Sequence, residues 1–266
     1  GDVLSAEAFS LAMYQRGEDL LRRLTRRLGT THSLLQAPDK THGQEGFQGP
    51  PLRSAELPQK TVIEEFGTRF QVDFGVGHKT GFFCDQRENR QRLTRLTAGQ
   101  SVLDLCCYTG GFAIQAARLG SAASVTAVDL DETALEVART NARLNGVSVR
   151  FVHVDVFQYL RDLIAGDRRF DVVILDPPKL IRNRSEIDAG TRKHLDLADG
   201  GLLITCSCSG LLTTPEFLKL LRTASYQAER SVQVLDRTGA AGDHPVHLDV
   251  PETEYLQAAW LRINHK

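Results

Sequence analysis

Four short apolar runs between residues 102 and 175 each carry an acid, the first within the run and the other three just past its end, and amphipathic stretches separate them. Val102, Leu103 and Leu105 surround Asp104; residues 124–128 lead into Asp129, 149–154 into Asp155, and 170–175 into Asp176. Short apolar runs read as strands buried on both faces, and apolar positions at helical spacing read as helices, here over 112–119 and 132–145. Further on, 201–206, 231–235 and 255–263 read as three more strands, with a helix over 215–224. Strand and helix alternating in this way predict an α/β chain with a doubly wound sheet of seven strands.

The remaining segments are less regular. Residues 5–28 read as one long helix or two short ones, with Phe9, Leu20, Leu21, Leu24 and Leu28 on one face and five arginines on the other. A Gly/Pro/His-rich segment without a period follows over 29–58. Residues 62–66 and 69–74 then alternate around Gly67 and Thr68, a hairpin pattern. This divides the chain into an N-terminal helix and hairpin region, 1–75, as a small α/β extension, and a main domain, 76–266. Between Lys179 and Gly201 there is only a polar loop and a short helical remnant over 191–198, still enough for a crossover of about a dozen residues.

Composition narrows the classes. A chain of 266 residues, 41% hydrophobic, can bury a sizeable core. Its five cysteines fit no disulfide or zinc spacing, so no metal site is expected, and they read as reduced thiols in a cytoplasm. No signal peptide or membrane-spanning run is read in it, so no membrane partner is expected.

The chemistry begins after the first strand. Cys106, Cys107, Tyr108, Thr109, Gly110 and Gly111 form a tight glycine turn, where backbone can approach a ligand closely and a helix start offers unpaired N–H groups. Asp129, 25 residues after Asp104, stands where a nucleotide site places an acid for ribose hydroxyls. Asp155 is suited to the exocyclic amine of an adenine. Any one of these acids, Asp131 above all, also suits a helix N-cap. The turn is neither G-x-x-x-x-G-K-[ST] nor G-x-G-x-x-G, which points to an adenosine ligand without a pyrophosphate.

Asp176, Pro177, Pro178 and Lys179 follow the fourth strand. The prolines carry the chain away extended, and Asp176 with the Pro177 carbonyl matches a flat base whose amino group lies beside a ring nitrogen. Thirty residues on, Cys206 and Cys208 close the fifth strand. Carbon 5 of cytosine becomes nucleophilic once a thiolate adds at carbon 6, and a cysteine facing the crevice supplies that step. Strand geometry puts both thiols on one face; Cys206 reads as core and Cys208 as the reactive group. Asp176 or a water is then available to help remove the carbon 5 proton.

Residues 79–90, KTGFFCDQRENR, resemble the KTGFF-x-DQR-x-NR signature of the RlmI-like 23S ribosomal RNA methyltransferases. DLCCYTGGF, DPPK, TCSCSG, DHPV and PETEYL are similar in order and spacing, so the resemblance covers residues 60–266. It implies a Rossmann-like class I methyltransferase sheet, S-adenosylmethionine as cofactor, and 5-cytosine methylation of 23S RNA, with the family's cysteine in S-C-S-G matching Cys208. Lys79 and Arg87 then suit the methionyl carboxylate or are surface charges, and Phe82 covers the adenine or only packs. Leu130 and Val156 stand beside the ribose and adenine acids.

On the substrate side, Pro177, Pro178 and Lys179 belong to the base crevice, and His244, beside Asp243 and Pro245, orients substrate or serves a turn. Arg182, Arg184, Arg192 and Lys193 face only Glu186 and Asp188, which makes this loop a candidate for RNA backbone contact. The net charge of −1 gives no global attraction for RNA, so such local patches matter. Full-length relatives begin with a PUA-type domain that no segment here matches, and they carry a longer crossover helix. The expected partner is 23S ribosomal RNA, with a homodimer also kept in view. Two alternatives stand: a base N-methyltransferase, which also suits an acid before Pro-Pro, and a SAM-binding RNA or ribosome-assembly module with little turnover.

Overall fold

The computed structural model describes residues 1–75, 81–177, 200–210 and 212–265. The chain forms two compact units, Gly1–Glu64 with Phe70–Phe83, and Glu65–Arg69 with Cys84–Lys266.

In the first unit a three-stranded sheet holds β1 (Val3–Glu7), β2 (His32–Gln36) and β3 (Leu52–Arg53), with β1 parallel to β2 and β3 antiparallel to it. Helix α1 (Leu11–Leu28) makes the parallel crossover. Ser10 caps it by accepting from the Met13 N–H, and Gly29 ends it in the left-handed region at φ 68°. The helix expected from residue 5 therefore starts at 11. The residues before it form a strand because Leu4, Ala6 and Ala8 pack with Leu21 and Leu35. Gly17 permits that packing: a Cβ there would lie 2.4 Å from Leu35 Cδ2. The aperiodic segment 29–58 contains β2, β3 and the short helix α2 (Asp39–Glu45), all too brief to show a period.

The hairpin of β4 (Lys60–Glu65) and β5 (Thr68–Asp73) is present, but it turns at Phe66 and Gly67 rather than at Gly67 and Thr68. Both central residues have positive φ, 49° and 79°, as a two-residue turn of this hand requires.

The second unit is built on a seven-stranded sheet in the order β11-β12-β10-β9-β6-β7-β8. Its strands are β6 (Ser101–Leu105), β7 (Ser124–Asp129), β8 (Arg150–His153), β9 (Val172–Leu175), β10 (Leu202–Ser207), β11 (Arg230–Thr238) and β12 (Gln257–His265). Strand β12 runs antiparallel to both neighbours, and the pairings among β6 to β10 are parallel. Helices α3 (Arg87–Leu93), α4 (Gly111–Arg118), α5 (Glu132–Leu144), α6 (Val156–Ala165) and α7 (Thr214–Gln227) complete it. Alternate residues feed two cores. Val102, Ile174, Ile204 and Trp260 face one, while Leu103, Leu105, Val173 and Leu203 face the other.

This confirms the expected seven-stranded doubly wound sheet. The expected crossover loop and its remnant helix over 191–198 lie outside the described residues. No described helix is long and apolar enough to cross a membrane.

Candidate active site

The carboxyl ends of β6, β9 and β10 lie side by side, since Leu105 pairs with Leu175 and Leu175 with Thr205. The residues that follow, Cys106, Asp176 and Cys206, therefore emerge along one edge. Ligands of open α/β sheets bind there, outside the carboxyl ends of the strands.

The turn after β6 is held in an uncommon backbone shape. Cys106 and Tyr108 have φ of 62° and 50°, and Gly110 follows at 84°. Left-handed non-glycine residues cost free energy and persist only where surroundings hold them. Here Asp129, at the end of β7, accepts the Tyr108 N–H at 2.7 Å, and Asn141 of α5 donates to the Thr109 carbonyl at 3.1 Å. The second Asp129 oxygen accepts the Asp131 N–H at 2.9 Å.

Asp104 is 1% exposed, with Oδ2 accepting the Ala113 N–H of α4 at 3.0 Å. Its Oδ1 is buried with no partner among the described residues. Burial pushes this carboxyl well above the ordinary carboxylate range; the Ala113 N–H opposes the shift, and nearby Asp176 and Asp129 add to it. A buried oxygen without a donor, beside a glycine turn and a second carboxylate, fits a ligand that brings a cation and hydroxyl donors.

The other acids divide as their alternatives allowed. Asp131 caps α5, accepting from Thr133 and Ala134 N–H. Asp155 caps α6 through the Gln158 N–H at 2.9 Å, with Val156 as the first helical residue. Leu130 is exposed, and its carbonyl lies 2.9 Å from His153 Nε2.

Asp176 and Pro177 are half-buried beyond β9. Cys206 is buried in a core cluster, and burial pushes its thiol well above the usual range. Strand β10 ends at Ser207, so Cys208 leaves the ladder and the strict alternation that would put both thiols on one face no longer applies. Cys208 is half-buried, whereas Cys206 is 3% exposed.

Arg87 pairs with Asp243 at 2.8 Å and lies 3.7 Å from Glu88. His244 Nδ1 stands 3.0 Å from Asp243 Oδ1. Phe82, in the first unit, is buried with its ring 5.0 Å from that of Phe70. Lys79, Pro178, Lys179, Arg182, Arg184, Arg192 and Lys193 lie outside the described residues.

Sequence reasoning missed three features. Arg90 and Glu65 form a buried bidentate ion pair, and Arg90 also packs at the start of α4, where a Cβ on Gly111 would come within 3.0 Å of Arg90 Cδ. A polar chain crosses the unit: Trp260 Nε1 donates to Thr238 Oγ1, Thr238 donates to Asn89 Oδ1, and Asn89 donates to Gln86 Oε1. The Tyr255 hydroxyl donates to Asp85 Oδ2 at 2.8 Å. The signal for all three was the 79–90 signature, which holds Asp85, Gln86, Asn89 and Arg90. Tyr255 also lines a cavity of about 430 Å³ together with His244, Gly239 and Gln257.

The S-adenosylmethionine-dependent methyltransferase family model matches residues 31–260. Ribosomal RNA large subunit methyltransferase I of Aeromonas salmonicida is 41% identical over 215 residues, covering 77% of this chain and 54% of that protein. The Shewanella frigidimarina protein of the same name is 41% identical over 224 residues, covering 80% and 56%. The chain thus spans just over half the length of these relatives. The fold resembles the crystal structure of SMU.776 complexed with SAH, with TM-score 0.86 at 23% identity over 98% of this chain and 69% of that one. It also resembles Trm5b from Pyrococcus abyssi, with TM-score 0.73 at 17% identity over 99% and 73%. With the family model spanning most of the chain, its glycine turn and its strand-end acids, this protein belongs to the S-adenosylmethionine-dependent methyltransferases.

Proposed function

We propose that this enzyme methylates carbon 5 of a cytosine in 23S ribosomal RNA, using Cys208 as the nucleophile. The observation that carries the reading is the contrast at the end of β10: Cys206 is sealed in the core, while Cys208 is half-buried just past the strand, whose neighbour β9 leads into Asp176. The names of the relatives about 40% identical to this chain support a ribosomal RNA substrate.

The cofactor, when bound, supplies an electrophilic methyl group. Asp104, Tyr108, Thr109, Gly110 and Asp129 would hold it, with Leu130, Asp155 and Val156 at its adenosine side and Arg87 available to its carboxylate. The target base leaves its stack to enter such a site. Asp176 and the Pro177 carbonyl hold its amino edge, with His244 available to orient it. The Cys208 thiolate then bonds to carbon 6 and makes carbon 5 nucleophilic, and loss of the carbon 5 proton expels the thiolate again.

The test is incubation of wild type and Cys208→Ser with tritiated S-adenosylmethionine and a 23S RNA transcript, followed by nucleoside identification. Labelled 5-methylcytosine that disappears in the variant is expected. Label on another base, or an active Cys208→Ser, would retire the thiol's role.

A further inference from the structure

We propose that Tyr255 and Asp85 form the proton relay that completes the reaction, accepting the carbon 5 proton of the cytosine. The inference rests on the cytosine reading above. In that reading Asp176 is engaged with the amino edge of the base, which leaves the last step, first expected of Asp176 or a water, open to another acceptor.

Two side chains 170 residues apart in sequence provide one. The Tyr255 hydroxyl donates to Asp85 Oδ2 at 2.8 Å. Asp85 is 8% exposed, and its Oδ1 is buried with no partner among the described residues. A buried carboxylate with one oxygen committed to a phenol and the other unpaired is costly unless it has a task. Its position is fixed from behind, since the Asp85 carbonyl accepts the Ala241 N–H at 2.8 Å.

Tyr255 belongs to the same strand end as the nucleophile. Pairing of β10 with β12 runs from Leu202 with Arg262 to Ser207 with Gln257, so the chain just before β12 meets the chain just after β10. A Cβ on Gly210, two residues past Cys208, would lie 3.8 Å from Tyr255 Cβ. The phenol is half-buried and lines the cavity of about 430 Å³ described above. Burial raises its pKa first, the Asp85 hydrogen bond second, and the Cys208 charge is also felt there. The phenol therefore stays protonated in neutral solution and acts as a base only by passing its own proton on.

The step balances as follows. Once Cys208 Sγ is bonded to carbon 6 and carbon 5 carries its new methyl group, the carbon 5–hydrogen bond breaks. Its electron pair forms the carbon 5–carbon 6 double bond, and the carbon 6–sulfur bond breaks to release the thiolate. The proton goes to Tyr255 Oη while the phenol proton moves to Asp85 Oδ2.

The test reads both turnover and the trapped adduct. Wild type, Tyr255→Phe and Asp85→Asn are incubated with methyl-tritiated S-adenosylmethionine and the 23S RNA transcript. Each mixture is run on a denaturing gel, and thermal melting of each protein checks its fold. Tyr255→Phe keeps the ring and removes the acceptor; Asp85→Asn keeps an oxygen that accepts from the phenol and takes no proton.

Turnover should fall about 100-fold or more in both, the range for losing a general base. Methylated RNA covalently attached to the protein should accumulate, which a merely structural loss would not produce. Turnover within about threefold of wild type, or lost turnover without a labelled adduct in a folded variant, would overturn the relay. If Tyr255→Phe does not fold, Asp85→Asn decides by the same readout. Failure of the wild type to form 5-methylcytosine would instead sink the cytosine reading itself, and the relay with it.

Discussion

Arg90 grips Glu65 through two parallel hydrogen bonds, Nε to Oε2 at 3.0 Å and Nη2 to Oε1 at 2.7 Å, with both side chains almost wholly buried. Two ions have left water here, and their fork geometry and the ring of Phe112, 6.0 Å from the guanidinium, help to compensate. Removing one partner leaves the other charge buried alone. Arg90→Ala should cost about 3–5 kcal/mol. Arg90→Lys should cost nearly as much, because an ammonium cannot reproduce the fork. Urea unfolding checks both, and a lysine variant as stable as wild type would show that the bidentate geometry is unimportant.

Gly110 sits at φ 84°, and a Cβ there would stand 3.0 Å from Ile114 Cδ1 and 3.3 Å from Ala138 Cβ. Gly146 has a similar φ of 63° with nothing near its missing Cβ. Both alanine variants bear the left-handed penalty of about 1–2 kcal/mol, and only Gly110→Ala adds crowding. Calorimetric titration with S-adenosylmethionine should show Gly110→Ala losing affinity, with Gly146→Ala unchanged.

Asp104 is one group that makes folding depend on pH. Its folded pKa is raised, first by burial and then by Asp176 and Asp129. Above the ordinary carboxylate range the folded chain therefore keeps a proton that the unfolded chain has released, so stability falls as pH rises through that window. Asp104→Asn should flatten this slope in melts from about pH 5 to 8 and melt higher at the alkaline end. The same variant should bind S-adenosylmethionine at least about tenfold more weakly, since an amide whose oxygen keeps the Ala113 N–H presents only a donor where the ligand's hydroxyl needs an acceptor. A variant that binds as tightly as wild type would remove Asp104 from the cofactor site.

The two thiols of the C-S-C segment, Cys206 and Cys208, should separate cleanly. Cys206→Ala leaves a small core gap and should keep methylation within about threefold. Under the cysteine mechanism, Cys208→Ser should lose all detectable turnover. Steady-state kinetics on folded proteins decides this, and equal losses in the two variants would argue for a purely structural C-S-C segment.

Much of the sheet could be read from sequence because its middle strands are buried on both faces. Val172–Leu175 and Leu202–Ser207 carry the apolar runs that such burial demands, and their ends fell within a few residues of expectation. The first strand, Val3–Glu7, was not legible, since five half-buried residues with no clean alternation look like the start of the helix that follows. Asp155 shows a different limit. An acid after a strand suits both a cap and a ligand, and only the backbone path shows that it accepts the Gln158 N–H.

The sequence by itself determined the order of the seven large-sheet strands, the glycine turn, the acids at the strand ends and the presence of two cysteines near the crevice. These follow from local rules: apolar periodicity, the steric freedom of glycine, and the chemistry of each side chain. Tertiary structure alone decided which groups are partners. Glu65 with Arg90, Asp85 with Tyr255 and Arg87 with Asp243 are separated by 25, 170 and 156 residues. It also decided that Cys206 is sealed while Cys208 stands half-buried, because that depends on where β10 stops pairing. Hydrogen-bond partners and burial are set by the whole packed chain, and no spacing along the sequence encodes them.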